Sequence, residues 1–91
     1  MATFTMIAEH AGGLYVSQVV ARDVSEAVVA WTRRTKMGRH FRRAFEDERE
    51  LGGSRPQPVG RLSNVWCQSA LHEDALVLLN VVKTVPAARG R

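Results

Sequence analysis

The ten residues Ala75–Thr84 read Ala-Leu-Val-Leu-Leu-Asn-Val-Val-Lys-Thr, and no other stretch limits the fold as strongly. A half-buried strand alternates apolar with polar residues, whereas this run is apolar at both parities. It belongs inside a sheet, as the most buried strand. Asn80 interrupts it, and because a buried amide needs hydrogen-bond partners, Asn80 is expected to bond across the sheet or across a seam between subunits.

Partners for such a strand are present elsewhere in the chain. From Thr3 to Glu9 the residues Phe4, Met6 and Ala8 alternate with Thr5, Ile7 and Glu9. After His10-Ala11-Gly12-Gly13, whose glycines permit the positive φ of a tight turn, Leu14 to Ala21 alternate again and complete a first hairpin. From Leu62 to Leu71 a third strand places Val65, Cys67, Ser69 and Leu71 on one side, and His72-Glu73-Asp74 turns it into Ala75–Thr84 as a second hairpin.

Between the hairpins the period changes. Asp23 and Glu26 have the spacing of a capping box, and Val24, Ala27, Val28 and Trp31 form the apolar stripe of a helix. Met37, Phe41, Ala44 and Phe45 keep a helical spacing on another meridian, with Gly38 at the change of face. The preferred reading ends one helix near Met37, with Gly38 as its C-cap, and runs a second from about Arg39 to Leu51; a single bent helix is the alternative. Residues 52–60 are rich in Gly and Pro and read as a loop returning the chain to the sheet.

The fold class is thus α+β, in the order ββα(α)ββ: a four-stranded, mainly antiparallel sheet with a helix or helix pair on one face. Residues 1–85 are expected to form one domain and 86–91 a flexible basic tail. At 91 residues the chain supports one modest core. If Phe4, Met6, Leu14, Val16, Val65, Cys67 and Leu71 meet the helix, then Ile7, Tyr15, Val19, Trp66 and several of Val77, Leu79 and Val81 point away from it. Tyr15, Val19, Trp66, Val77, Leu79 and Val81 are therefore the candidate self-association surface, because monomers seldom leave a broad apolar patch in water. A homo-oligomer follows, with a dimer favoured, unless the second helix folds over that face within one chain. A separate partner protein is a further option.

Charge is unevenly placed. Arg33, Arg34, Lys36, Arg39, Arg42 and Arg43 fall together with no acid among them, and Glu46, Asp47, Glu48 and Glu50 follow, offset only by Arg49. The six cations are the candidate contacts for nucleic acid or another anion, and a solvated face pairing with the acids is the simpler reading.

The remaining chemistry is sparse. The single Cys67 excludes an internal disulfide and suits a reducing compartment; facing the core, it would behave as a small hydrophobe. His10 and His72 both fall in hairpin turns, which an up-down arrangement brings to one end of the sheet. No catalytic, cofactor or metal-ligating set is expected, and a small enzyme or metal site at these turns is the third reading. With no signal-peptide pattern and no long apolar run, the expected setting is a soluble, cytoplasmic protein of bacterial type, without membrane contact.

Phe4-Thr5-Met6-Ile7-Ala8-Glu9, Gly12-Gly13-Leu14-Tyr15-Val16-Ser17 and Asp23-Val24-Ser25-Glu26-Ala27 resemble the start of HicB-like antitoxin domains over the first third of the chain. The resemblance implies a hairpin leading into a capped helix. The family's Pro-Gly-Cys-like strand before the helix and its helix-turn-helix have no counterpart here, so no functional residue carries over. The reading drawn from the residues is a self-associating binding or regulatory module, with a nucleic-acid-contacting module as the alternative.

Overall fold

The computed structural model describes residues 1–50 and 55–84, with the side chains of 48–50 excepted. The expected tail 86–91, the first part of the expected loop and the side chains of 48–50 lie outside the described residues. The elements run β1 (Ala2–His10), β2 (Gly13–Ala21), α1 (Val24–Arg34), α2 (Lys36–Glu50), β3 (Gln57–Pro58), β4 (Val65–His72) and β5 (Ala75–Thr84).

The strands make one five-stranded antiparallel sheet in the order β2-β1-β5-β4-β3. The apolar run β5 is flanked on both edges, as its composition requires. The strand the sequence reading lacked is β3, two residues within the Pro-rich loop. It lies at the sheet edge, where Pro58 forfeits no interior hydrogen bond.

Asp23 caps α1, its Oδ1 accepting from the Glu26 N–H at 2.8 Å. Glu26 does not close the box; instead it accepts from Arg22 Nε at 2.8 Å, and that hydrogen bond and charge hold the Arg22 guanidinium above its ordinary pKa. The helix boundary falls earlier than the sequence suggests. Thr35, extended at φ −101° and ψ 153°, ends α1, and its hydroxyl donates to the Trp31 carbonyl at 2.8 Å while accepting from the Gly38 N–H at 3.0 Å. One residue therefore stops α1 and starts α2, and Gly38 is not the C-cap. Gly38 sits inside α2, where any Cβ would collide with the Trp31 carbonyl.

Both helices lie on the same side of the sheet. Ala27, Val28, Ala30 and Trp31 of α1 and Phe41, Ala44 and Phe45 of α2 close over Phe4, Met6, Ala8, Val19, Ala21, Ala70, Val77, Leu79 and Val81. Trp31 is the pivot, stacked on Phe41 at 6.4 Å between ring centroids and edge-on to Phe45 at 5.5 Å. The alternative in which the second helix crosses to the other face does not occur.

The expected facing of three strands is reversed. Val19, Val77, Leu79 and Val81 are buried under the helices, and Tyr15 and Trp66 pack half-buried against the same core. Leu14, Val16, Val65, Cys67 and Leu71 stand on the opposite side, with Ile7, as expected, among them. Turn length is the physical reason. The first turn is Ala11-Gly12, with φ of 48° and 84°, so His10 pairs with Gly13, Met6 with Ser17 and Phe4 with Val19. Residues paired across an antiparallel ladder share a face, so Phe4 carries Val19 to the helices and leaves Leu14 and Val16 outside. The second hairpin follows because Met6 pairs with Val81, and Val81 with Trp66.

Candidate association surface

The helix-free face consists of rows of directly paired residues. Its central row runs Val16, Ile7, Asn80, Cys67; toward the turns come Leu14, Glu9, Leu78, Ser69 and then Leu76 beside Leu71. In the other direction lies Gln18, Thr5, Val82, Val65, followed by Val20, Thr3, Thr84. Leu14, Val16, Leu71 and Leu76 are 60 %, 63 %, 61 % and 56 % exposed, values unusual for large aliphatic side chains that share one face. An open hollow of about 390 Å³ at the turn end is lined in part by Leu14, Leu76 and Leu78.

The polar groups of this face are mostly satisfied. Thr5 and Thr84 share a hydroxyl hydrogen bond of 2.6 Å, and Gln18 Nε2 donates to Thr5 Oγ1 at 3.0 Å. Ser69 is also engaged. Asn80 differs: among the described residues its half-buried amide has no side-chain hydrogen bond. Cys67 faces this surface rather than the core, and is half-buried by its strand neighbours.

All six candidate cations are exposed. Lys36, Arg39 and Arg43 lie along one stripe of α2, with Arg42 beside it, and Arg33 and Arg34 end α1. Arg42 Nε donates to Glu46 Oε1 at 2.8 Å, and among the described residues no acid lies within ion-pair distance of the other five. Arg33 and Arg34 sit at the negative end of the α1 dipole, where cations are favourable, whereas Lys36 and Arg39 occupy the positive first turn of α2.

The two hairpin turns do meet at one end of the sheet, and the sequence reading missed the third member of the group they form. His10 and His72 have ring centroids 5.4 Å apart, and His40 of α2 lies 5.0 Å from His72. Phe41 touches all three rings at 4.9–5.2 Å. His10 Nε2–H donates to the His72 carbonyl at 3.3 Å, while among the described residues the buried His72 Nε2 has no hydrogen-bond partner, and Glu73 Oε1 lies 3.9 Å from it. Among the described residues, no three His, Cys, Asp or Glu side chains are arranged to hold a metal ion. The helical spacing of His40 and Phe41 from the core stripe was the available signal.

A second feature absent from the sequence reading is a cleft of about 300 Å³ between α1, α2 and the chain entering β3, lined by Val28, Val29, Thr32, Phe45, Pro56 and the buried Gln68 among others. No helix among the described residues is long and apolar enough to cross a membrane. Compared with known proteins, the chain matches no family model, no curated protein and no solved structure.

Proposed function

We propose that this protein is a self-associating binding module that acts by surface complementarity, and that the helix-free face of its sheet is the surface by which two copies pair. The supporting observation is the exposure of Leu14, Val16, Leu71 and Leu76 on a face that no described element covers. The size of that face argues for a second copy. Four long strands about 4.8 Å apart and about eight residues of ~3.3 Å in length present roughly 500 Å² in plan, more when side-chain relief is included. A stable pair buries about 800 Å² on each partner, so nearly the whole face must be covered at once. A single helix, about 10 Å across, covers half its width. A like sheet covers most of it, at the ~10 Å separation of stacked sheets, and leaves both helix layers outside.

The test is the mass in solution across a concentration series. The proposal requires a dimer at micromolar concentration that Val16→Lys converts to a folded monomer. A wild-type chain that stays monomeric throughout ends it.

A second reading rests on Lys36 and Arg39. Cations in the first turn of a helix oppose its dipole, at about 0.3–1 kcal/mol each, and nothing else in the described structure offsets that cost. An anionic polymer such as nucleic acid lying along Arg33, Arg34, Lys36, Arg39, Arg42 and Arg43 would do so. Binding to single- or double-stranded nucleic acid, weakened steeply by salt and by Lys36→Gln/Arg39→Gln, is the expected result; no binding at low salt removes this reading.

A further inference from the structure

The geometry points to Asn80 as the residue that fixes how two copies pair: its amide lies on the two-fold axis, which runs along β5, and bonds to the same amide of the second copy. This inference rests on the pairing of helix-free faces proposed above.

Asn80 occupies the middle of the face, in the row Val16, Ile7, Asn80, Cys67. Covering it with an apolar side chain would strand an amide that has no side-chain hydrogen bond among the described residues. Its partner must therefore come from the other subunit. The other polar groups are poor choices, since Thr5, Thr84 and Gln18 bond to one another and Ser69 is engaged. Glu9 lies toward the turns, away from the centre. An amide, in contrast, carries both a donor and an acceptor, so two copies related by a two-fold axis satisfy each other reciprocally.

The direction of the axis follows from the sorting of side chains along the strands. The leucines Leu14, Leu71, Leu76 and Leu78 gather at the turn end, and the Thr5, Thr84 and Gln18 ladder lies at the other. An axis across the strands would lay leucines on the polar ladder. An axis along β5 lays Leu76 and Leu78 on their own counterparts, Asn80 on Asn80, and Thr84 on Thr84. It also sets β1 of one copy over β4 of the other, so that Ile7 faces Cys67. An unpartnered amide at the centre of the seam restricts register in the same way that a buried asparagine does in coiled coils.

Spin labels at the β4–β5 turn separate the two axes. In a Cys67→Ser background, a label at Asp74→Cys stands six positions from Asn80, roughly 20 Å along the strand. An axis along β5 brings the two labels within roughly 20 Å of each other, whereas an axis across the strands holds them roughly 40 Å apart. The expected result is one narrow short distance, which broadens or splits in Asn80→Val while the mass stays dimeric. A long distance overturns the axis, and an unchanged narrow distance in Asn80→Val overturns the role of the amide. A monomeric mass for the unlabelled wild type would instead reject the underlying pairing, so the two failures are distinguishable.

Discussion

Leu76 and Leu79 lie on one strand and carry the same side chain, yet Leu79 is 0 % exposed under the helices and Leu76 is 56 % exposed on the other face. Replacing each with alanine removes identical atoms, so the difference in cost isolates burial. Leu79 is paired between Ala8 of β1 and Gln68 of β4 beneath the helix layer, and its truncation leaves a cavity worth about 2–5 kcal/mol. At Leu76 less than half of the side chain is withdrawn from water, and at about 25 cal/mol per Å² the loss stays below about 1 kcal/mol. A domain of this length has a total stability of about 5–14 kcal/mol, so Leu79→Ala removes a large fraction of it. At ~4–8 °C per kcal/mol, Leu79→Ala lowers Tm by roughly 15 °C and Leu76→Ala by less than about 8 °C. Urea and thermal unfolding followed by the fluorescence of Trp31 and Trp66 reads both values. A concentration series separates any subunit contribution at Leu76 from folding itself. Equal losses, or a larger loss at Leu76, would refute the assignment of faces.

Other substitutions test separate links. Asp23→Ala removes the side-chain acceptor of the Glu26 N–H and should cost about 1 kcal/mol in urea unfolding, with α1 fraying first in hydrogen exchange. Ala11→Asn places a residue tolerant of positive φ at φ 48° and creates an Asn-Gly turn, so the urea midpoint should rise by the equivalent of about 0.5 kcal/mol. Gly38→Ala should be far more damaging than an ordinary glycine replacement in a helix, because the new methyl meets the Trp31 carbonyl; circular dichroism and Tm report it. Val16→Lys leaves the folded subunit intact, since Val16 is 63 % exposed, but removes about 1 kcal/mol of burial from each of two subunits and adds two desolvated charges. A weakening of association of at least about 100-fold is expected by sedimentation.

The elements of this fold were legible because local rules and tertiary structure agree. Apolar spacing gave both helices, period two gave the four long strands, and Asp23 marked the start of α1. Facing was not legible, because Leu14 and Val16 are as apolar as Tyr15 and Val19, leaving no amphipathic contrast within β2. The decisive quantity was the parity of a turn. With Ala11-Gly12 and Glu73-Asp74 as two-residue turns, Thr5, Glu9, Gln18 and Asn80 all fall on one face, which would have identified the outside. The apolar side chains expected to face away from the helices, Val19, Val77, Leu79 and Val81, are the buried ones, and Leu14, Val16, Leu71 and Leu76 are exposed instead. His40 was hidden among arginines on an exposed helix, and only the crossing of α2 above the turns brings it to His10 and His72. The strand β3 is too short to leave any periodic signal.

The central claim is that the helix-free face of the sheet is completed by a second copy, and sedimentation velocity of the wild-type chain from sub-micromolar to high-micromolar concentration tests it most directly. The account predicts a species of about twice the chain's 10.1 kDa that dissociates on dilution. A single species of 10.1 kDa at every concentration would contradict it.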